Sequence, residues 1–73
     1  MARETIGVPI TGKIIAVNVN VGDKVKEGDV LCTLESMKME NPILSPVDGE
    51  VVQISVQPEQ VVKPGEVIAV IEY

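Results

Sequence analysis

Val67-Ile68-Ala69-Val70-Ile71-Glu72 decides the fold of this chain, because the same unit stands earlier as Val30-Leu31-Cys32-Thr33-Leu34-Glu35. The later copy is rich in β-branched residues, which fit a pleated sheet better than a helix. The earlier copy is ambiguous on its own. Leu31, Leu34 and Met37 fall at i, i+3 and i+6, its Glu, Met, Lys and Leu favour helix, and Asn41-Pro42 offers a stop. Two copies of one unit should fold alike, so both are read as strands.

The same offset runs through the chain without a gap. Pro9 meets Pro46, Gly12 meets Gly49, and Val25, Lys26 and Gly28 meet Val62, Lys63 and Gly65. Most other pairs exchange one aliphatic for another, as in Ile14/Val51, Val17/Ile54, Leu31/Ile68 and Leu34/Ile71. Short apolar runs alternate with Gly, Pro and Asp turn signals, the pattern of an all-β barrel or sandwich. Strands are expected over residues 5–8, 13–21, 24–26, 30–36, 40–44, 50–56 and 67–72, with 13–21 the longest. Lys63-Pro64-Gly65-Glu66 carries the Pro-Gly pair of a type II turn. Pro58-Glu59-Gln60 stands where the first half has Val21-Gly22-Asp23 and has lost the glycine. Equivalent residues should be buried alike, Val19 with Val56 and Val30 with Val67. Cys32 pairs with Ala69 and reads as a small core residue.

Composition limits the chemistry. The chain has 73 residues, one of them aromatic (Tyr73), and a net charge of −5. It reads as one domain over 1–73, with a core of Val, Ile and Leu. An acidic, aromatic-poor surface argues against nucleic acid and anionic membranes. No apolar run reaches the length of a membrane span, and Met1-Ala2-Arg3-Glu4 does not open a signal peptide. One cysteine cannot form an internal disulfide, which fits a reducing, cytoplasmic setting. The chain has no histidine, hence no imidazole base, Ser-His pair or His-containing metal site. Gly7, Gly12 and Gly22 are too scattered for a phosphate loop. Nothing supplies the roles of a self-contained active site, so the chain is expected not to be an enzyme by itself.

One lysine is singled out by its place. The connector 36–45 belongs to neither copy, and Lys38 lies inside it, within Glu35-Ser36-Met37-Lys38-Met39-Glu40. Strands on both sides leave a tight hairpin with Met37 and Lys38 near its tip. Such a turn needs positive φ at both central residues and prefers Asn-Gly, so Met-Lys looks like a functional demand overriding local preference. Met37 and Met39, two apart and hence on one face of a strand, read as a soft recognition surface. Glu35 and Glu40 read as solvated charges with a secondary recognition role. Glu35 recurs as Glu72, so a structural role for it stands beside that reading.

This hexapeptide resembles the biotin-attachment motif of biotin carrier domains, Glu-Ala-Met-Lys-Met, with Ser36 in place of the alanine. The likeness extends to residues 9–12, 21–28 and 45–49, although Ile10-Thr11 replaces the Met-Pro pair of many members. The resemblance implies a flattened eight-stranded antiparallel barrel with quasi-twofold symmetry, here without a thumb insertion after the first long strand. It implies that a biotin protein ligase attaches biotin to Lys38, with Glu35, Ser36, Met37, Met39 and Glu40 taking part in recognition. The biotin would then carry carboxylate between active sites of partner subunits, a biotin carboxylase and a carboxyltransferase or decarboxylase. Two other readings remain, a lipoyl carrier domain of a 2-oxo acid dehydrogenase complex and an unmodified barrel adaptor. Met37 and Met39 speak against the first, and the intact lysine motif against the second.

Overall fold

The computed structural model describes residues 1–73 as eight strands. They are β1 (Arg3–Gly7), β2 (Gly12–Val17), β3 (Lys24–Val25), β4 (Val30–Ser36), β5 (Met39–Leu44), β6 (Gly49–Ile54), β7 (Val61–Val62) and β8 (Val67–Glu72). They form two four-stranded sheets, β1-β8-β6-β3 and β5-β4-β2-β7, with every pair antiparallel. The repeat maps the first order onto the second strand by strand, so the sheets are copies related by a quasi-twofold. In this mapping β5 is the counterpart of β1. The connector 36–45, expected to belong to neither copy, is therefore part of the repeat over residues 40–44. The result is the flattened barrel, 36 × 19 × 17 Å in extent. Residues 18–23 alone join β2 to β3, and no thumb stands there.

The core is built in matched pairs. Ile14/Val51, Val25/Val62, Leu31/Ile68, Cys32/Ala69 and Leu34/Ile71 are all buried in one cluster. Each large aliphatic among them stabilises the fold by about 1.5–3 kcal/mol through burial. Burial also pushes the Cys32 thiol up, so Cys32 acts as a small apolar residue.

Both Leu31 and Cys32 face inward, as do Ile68 and Ala69, although side chains alternate along a regular strand. Bulges explain this. The β4–β5 register steps from Val30↔Leu44 to Cys32↔Ile43, and β1–β8 steps from Gly7↔Val67 to Ile6↔Ala69. The extra residue reverses the parity of what precedes it. Val30 is therefore turned outward, 38% exposed, and Val67 is only half-buried, contrary to the expectation that both are core. Val56 is buried while Val19 is half-buried against the cluster.

The expected strand over 13–21 also stops early, at Val17. A turn takes over, in which the Asp23 amide donates to the Asn20 carbonyl (3.0 Å) and the Asn20 amide to Asp23 Oδ2 (2.8 Å). The arrangement recurs at Lys26–Asp29, Gln57–Gln60 and Lys63–Glu66. The third residue of each turn has positive φ: Gly22, Gly28, Glu59 and Gly65. Losing the glycine at 59 has thus left the turn intact, with Glu59 held at φ 75°. Its amide donates to the Ile14 carbonyl, and its carboxylate meets Lys13 Nζ at 3.3 Å. The short strand β7, Val61–Val62, is missing from the expected strands, although its equivalence to β3 marks it in the sequence.

Candidate functional site

The β4–β5 hairpin closes on two residues. Ser36 faces Met39 and Glu35 faces Glu40, leaving Met37 and Lys38 as the turn. Their φ values are 54° and 65°, both left-handed, as a two-residue type I′ turn requires. For side-chain-bearing L-residues this conformation is unfavourable by about 1 kcal/mol each. The chain uses glycine at other left-handed positions except Glu59, so the hairpin keeps Met-Lys against local preference.

Leu34 is fully buried beneath the hairpin, whereas Glu35 and residues 37–40 are exposed and Ser36 is half-buried. The Lys38 amine is therefore carried beyond the core. The ion pairs of the molecule are Arg3–Glu72 and Lys13–Glu59, which leaves Lys38 unpaired despite Glu35 and Glu40 nearby in sequence. Those two carboxylates face each other across the strands. Met37 is 91% exposed within the turn, and Met39 is 67% exposed on β5 opposite Ser36. The methionines do not share one strand face as expected, because the turn intervenes between them. They flank the lysine as two separate apolar contacts.

Two residues that sequence reasoning passed over shape this site. Asn41 Nδ2 donates to the carbonyls of Leu34 (3.4 Å) and Met39 (3.3 Å) at the base of the hairpin. The available signal was a polar residue two positions before the inward-facing Ile43. Gly12 lies against the other side of β4. A Cβ there would stand 2.5 Å from the Glu35 carbonyl oxygen and 2.9 Å from Leu34 Cδ1. Lys13 stands beside the hairpin base, opposite Glu35 and paired with Glu59, whereas Lys24 and Lys26 line a shallow charged groove with Asp48, Glu50 and Glu72 on the other sheet.

A stiff duplicated barrel with one unpaired amine on a strained, projecting turn defines a carrier domain. The family described as biotin-requiring enzyme matches residues 4–71, and the chain belongs to that family, whose domains of this kind bear biotin covalently and serve as non-catalytic carriers. The chain is 58% identical over 40 residues to the glutaconyl-CoA decarboxylase subunit gamma of Acidaminococcus fermentans, covering 55% of this chain and 28% of that protein. It is 50% identical over 44 residues to the biotin carboxyl carrier protein of Streptococcus mutans, covering 60% and 34%. The Kluyveromyces lactis urea carboxylase structure superimposes with a TM-score of 0.90 at 29% identity, over 99% of this chain and 6% of that one. The chain thus spans about a third or less of the relatives it matches.

Proposed function

We propose that Lys38 is the residue a biotin protein ligase modifies, and that the chain acts as the carrier of a biotin-dependent carboxylase, decarboxylase or transcarboxylase. The observation that carries this reading is the hairpin itself: Lys38 is exposed, unpaired and fixed on a two-residue left-handed turn. The residues fit the group. A free primary amine can condense with the carboxyl group of biotin to give a stable amide, and no other part of the cofactor needs a pocket here. Bound biotin supplies the capacity to accept and release carboxylate, while the protein supplies placement. A tether of this kind keeps its cargo at an effective concentration on the order of millimolar near each partner site.

Glu35, Ser36, Met37, Met39 and Glu40 form the surface a ligase or partner enzyme meets around the lysine. Met37 and Met39 offer pliable apolar contacts, which suits recognition by more than one protein. Residues 1–73 act as one attachment domain in this reading. Partner carboxylase and carboxyltransferase or decarboxylase subunits, in the cytoplasm, would share the carrier. No helix is long and apolar enough to cross a membrane.

Co-expression with a biotin ligase tests the assignment. One biotin is expected, on Lys38 by peptide mass spectrometry; label on Lys24, Lys26 or Lys63 instead, or none, overturns it. Lys38→Arg should abolish labelling and leave the melting temperature almost unchanged, because the side chain contributes nothing to the core.

A further inference from the structure

We propose that Asn41 is a positioning residue for cofactor attachment: its side-chain amide fixes the hairpin at the pitch that presents Lys38. The inference rests on Lys38 being the acceptor, and it concerns how the amine is held. Up to Glu35 the β4 arm is held by β2, where Ile14 faces Leu34 and Lys13 faces Glu35. Beyond that level the hairpin, residues 36–40, is a two-stranded ribbon with little beneath it. Leu34 is the last buried residue of β4, and beyond it only Ser36 is even half-buried. A bare ribbon closed by two left-handed residues is marginal by itself. Something must fix its angle to the barrel.

Asn41 stands where that angle is set. It faces Leu34 across the strands, is half-buried, and forks its Nδ2 to Leu34 on β4 and to Met39 on β5. One amide thus ties the last core level of one strand to the first residue after the turn on the other. Both carbonyls keep a second lone pair for this bond beside the sheet ladder. The bonds are long and individually weak, so their effect is on the hairpin's angle and not on the barrel. The other sheet supplies the contrast. There the equivalent position holds Glu4, opposite Ile71, and an ionised carboxylate has no hydrogen to give to two carbonyls. That end of the molecule carries no lysine turn. The amide occurs in the sheet that bears the amine.

Asn41→Val removes the donors and keeps a shape that suits a strand; Asn41→Thr keeps one donor. The unlabelled 73-residue chain is offered to a biotin ligase with biotin and ATP, and amide hydrogen exchange is measured on the same sample. If only a fraction of hairpins then holds Lys38 correctly, Asn41→Val should raise the ligase KM roughly fivefold at unchanged kcat. Exchange should quicken at Ser36 and Met39 and stay unchanged in β2 and β8, and the melting temperature should hold. Asn41→Thr should recover part of both effects. Unchanged KM and exchange in Asn41→Val would overturn the proposal. So would faster exchange throughout with a lowered melting temperature, which would make Asn41 a stabiliser of the barrel only. A Thr variant no better than Val would show that the donor is not what matters. An unmutated chain that accepts no biotin sinks the attachment reading instead, while the exchange result still judges the brace.

Discussion

Two equivalent rows of side chains cross the two sheets, and they differ in charge. At the end where the chain termini meet, Arg3, Glu72, Glu50 and Lys24 face one another in turn across β1, β8, β6 and β3. Their charges cancel, and Arg3 Nε meets Glu72 Oε2 at 3.2 Å. The matching row at the lysine end is Glu40, Glu35, Lys13 and Val61, across β5, β4, β2 and β7. Glu35 opposes Glu40 here as Glu72 opposes Glu50 at the other end, but no cation faces Glu40 from beyond, and Lys13 is engaged by Glu59. Like charges directly opposite destabilise a strand pair. One end of the barrel satisfies itself, and the other presents unbalanced charge, two exposed methionines and a strained turn. The same unit, used twice, has been optimised for stability at one end and for presentation at the other.

Leu34→Ala and Ile71→Ala probe what the two ends share. Both residues are fully buried, and each substitution should destabilise by about 2–5 kcal/mol in a denaturant titration. If one effect exceeds the other severalfold, the two halves are alike in shape only. Gly12→Ala and Gly49→Ala come next, at about 1–3 kcal/mol each, since each new methyl would press on a neighbouring carbonyl, Glu35 or Glu72. A Gly12 variant as stable as the unmutated chain would show that β4 can yield and that the hairpin base is soft.

The remaining changes should stabilise, and only at the lysine end. Met37→Asn tolerates the left-handed turn better and should raise stability by about 0.5–1 kcal/mol in thermal melts of the unlabelled chain. No gain would mean that the turn is relaxed and the contrast between ends is electrostatic alone. Glu40→Arg copies the Arg3–Glu72 arrangement onto the hairpin and should add about 0.5 kcal/mol at low salt, fading as ionic strength rises. Unchanged stability at low salt would show that the opposed carboxylates are far enough apart to be harmless.

The site was legible where geometry is local. A two-residue turn between strands requires positive φ whatever surrounds it, so the left-handed Met37 and Lys38 follow from the sequence. Asn41 and Gly12 were not legible, because what they do depends on which carbonyls come within reach. The turn at residues 57–60 belongs with them: the sequence shows a lost glycine, and only the fold shows Glu59 held in its conformation by Ile14 and Lys13.

By itself the sequence determined the duplication, the strand class, most core pairs and the single lysine at the joint of the two copies. Each of these is a matter of residue type repeated at a fixed offset. The tertiary structure alone decided that Arg3 pairs with Glu72 at the far end of the chain, that β6 lies between β8 and β3, and that Val30 points to solvent. Alternation along a strand holds only until a bulge, and the bulges at Leu31 and Ile68 are defined by the register of a partner strand. Inside and outside are therefore assigned by pairing between distant segments, which no local pattern encodes.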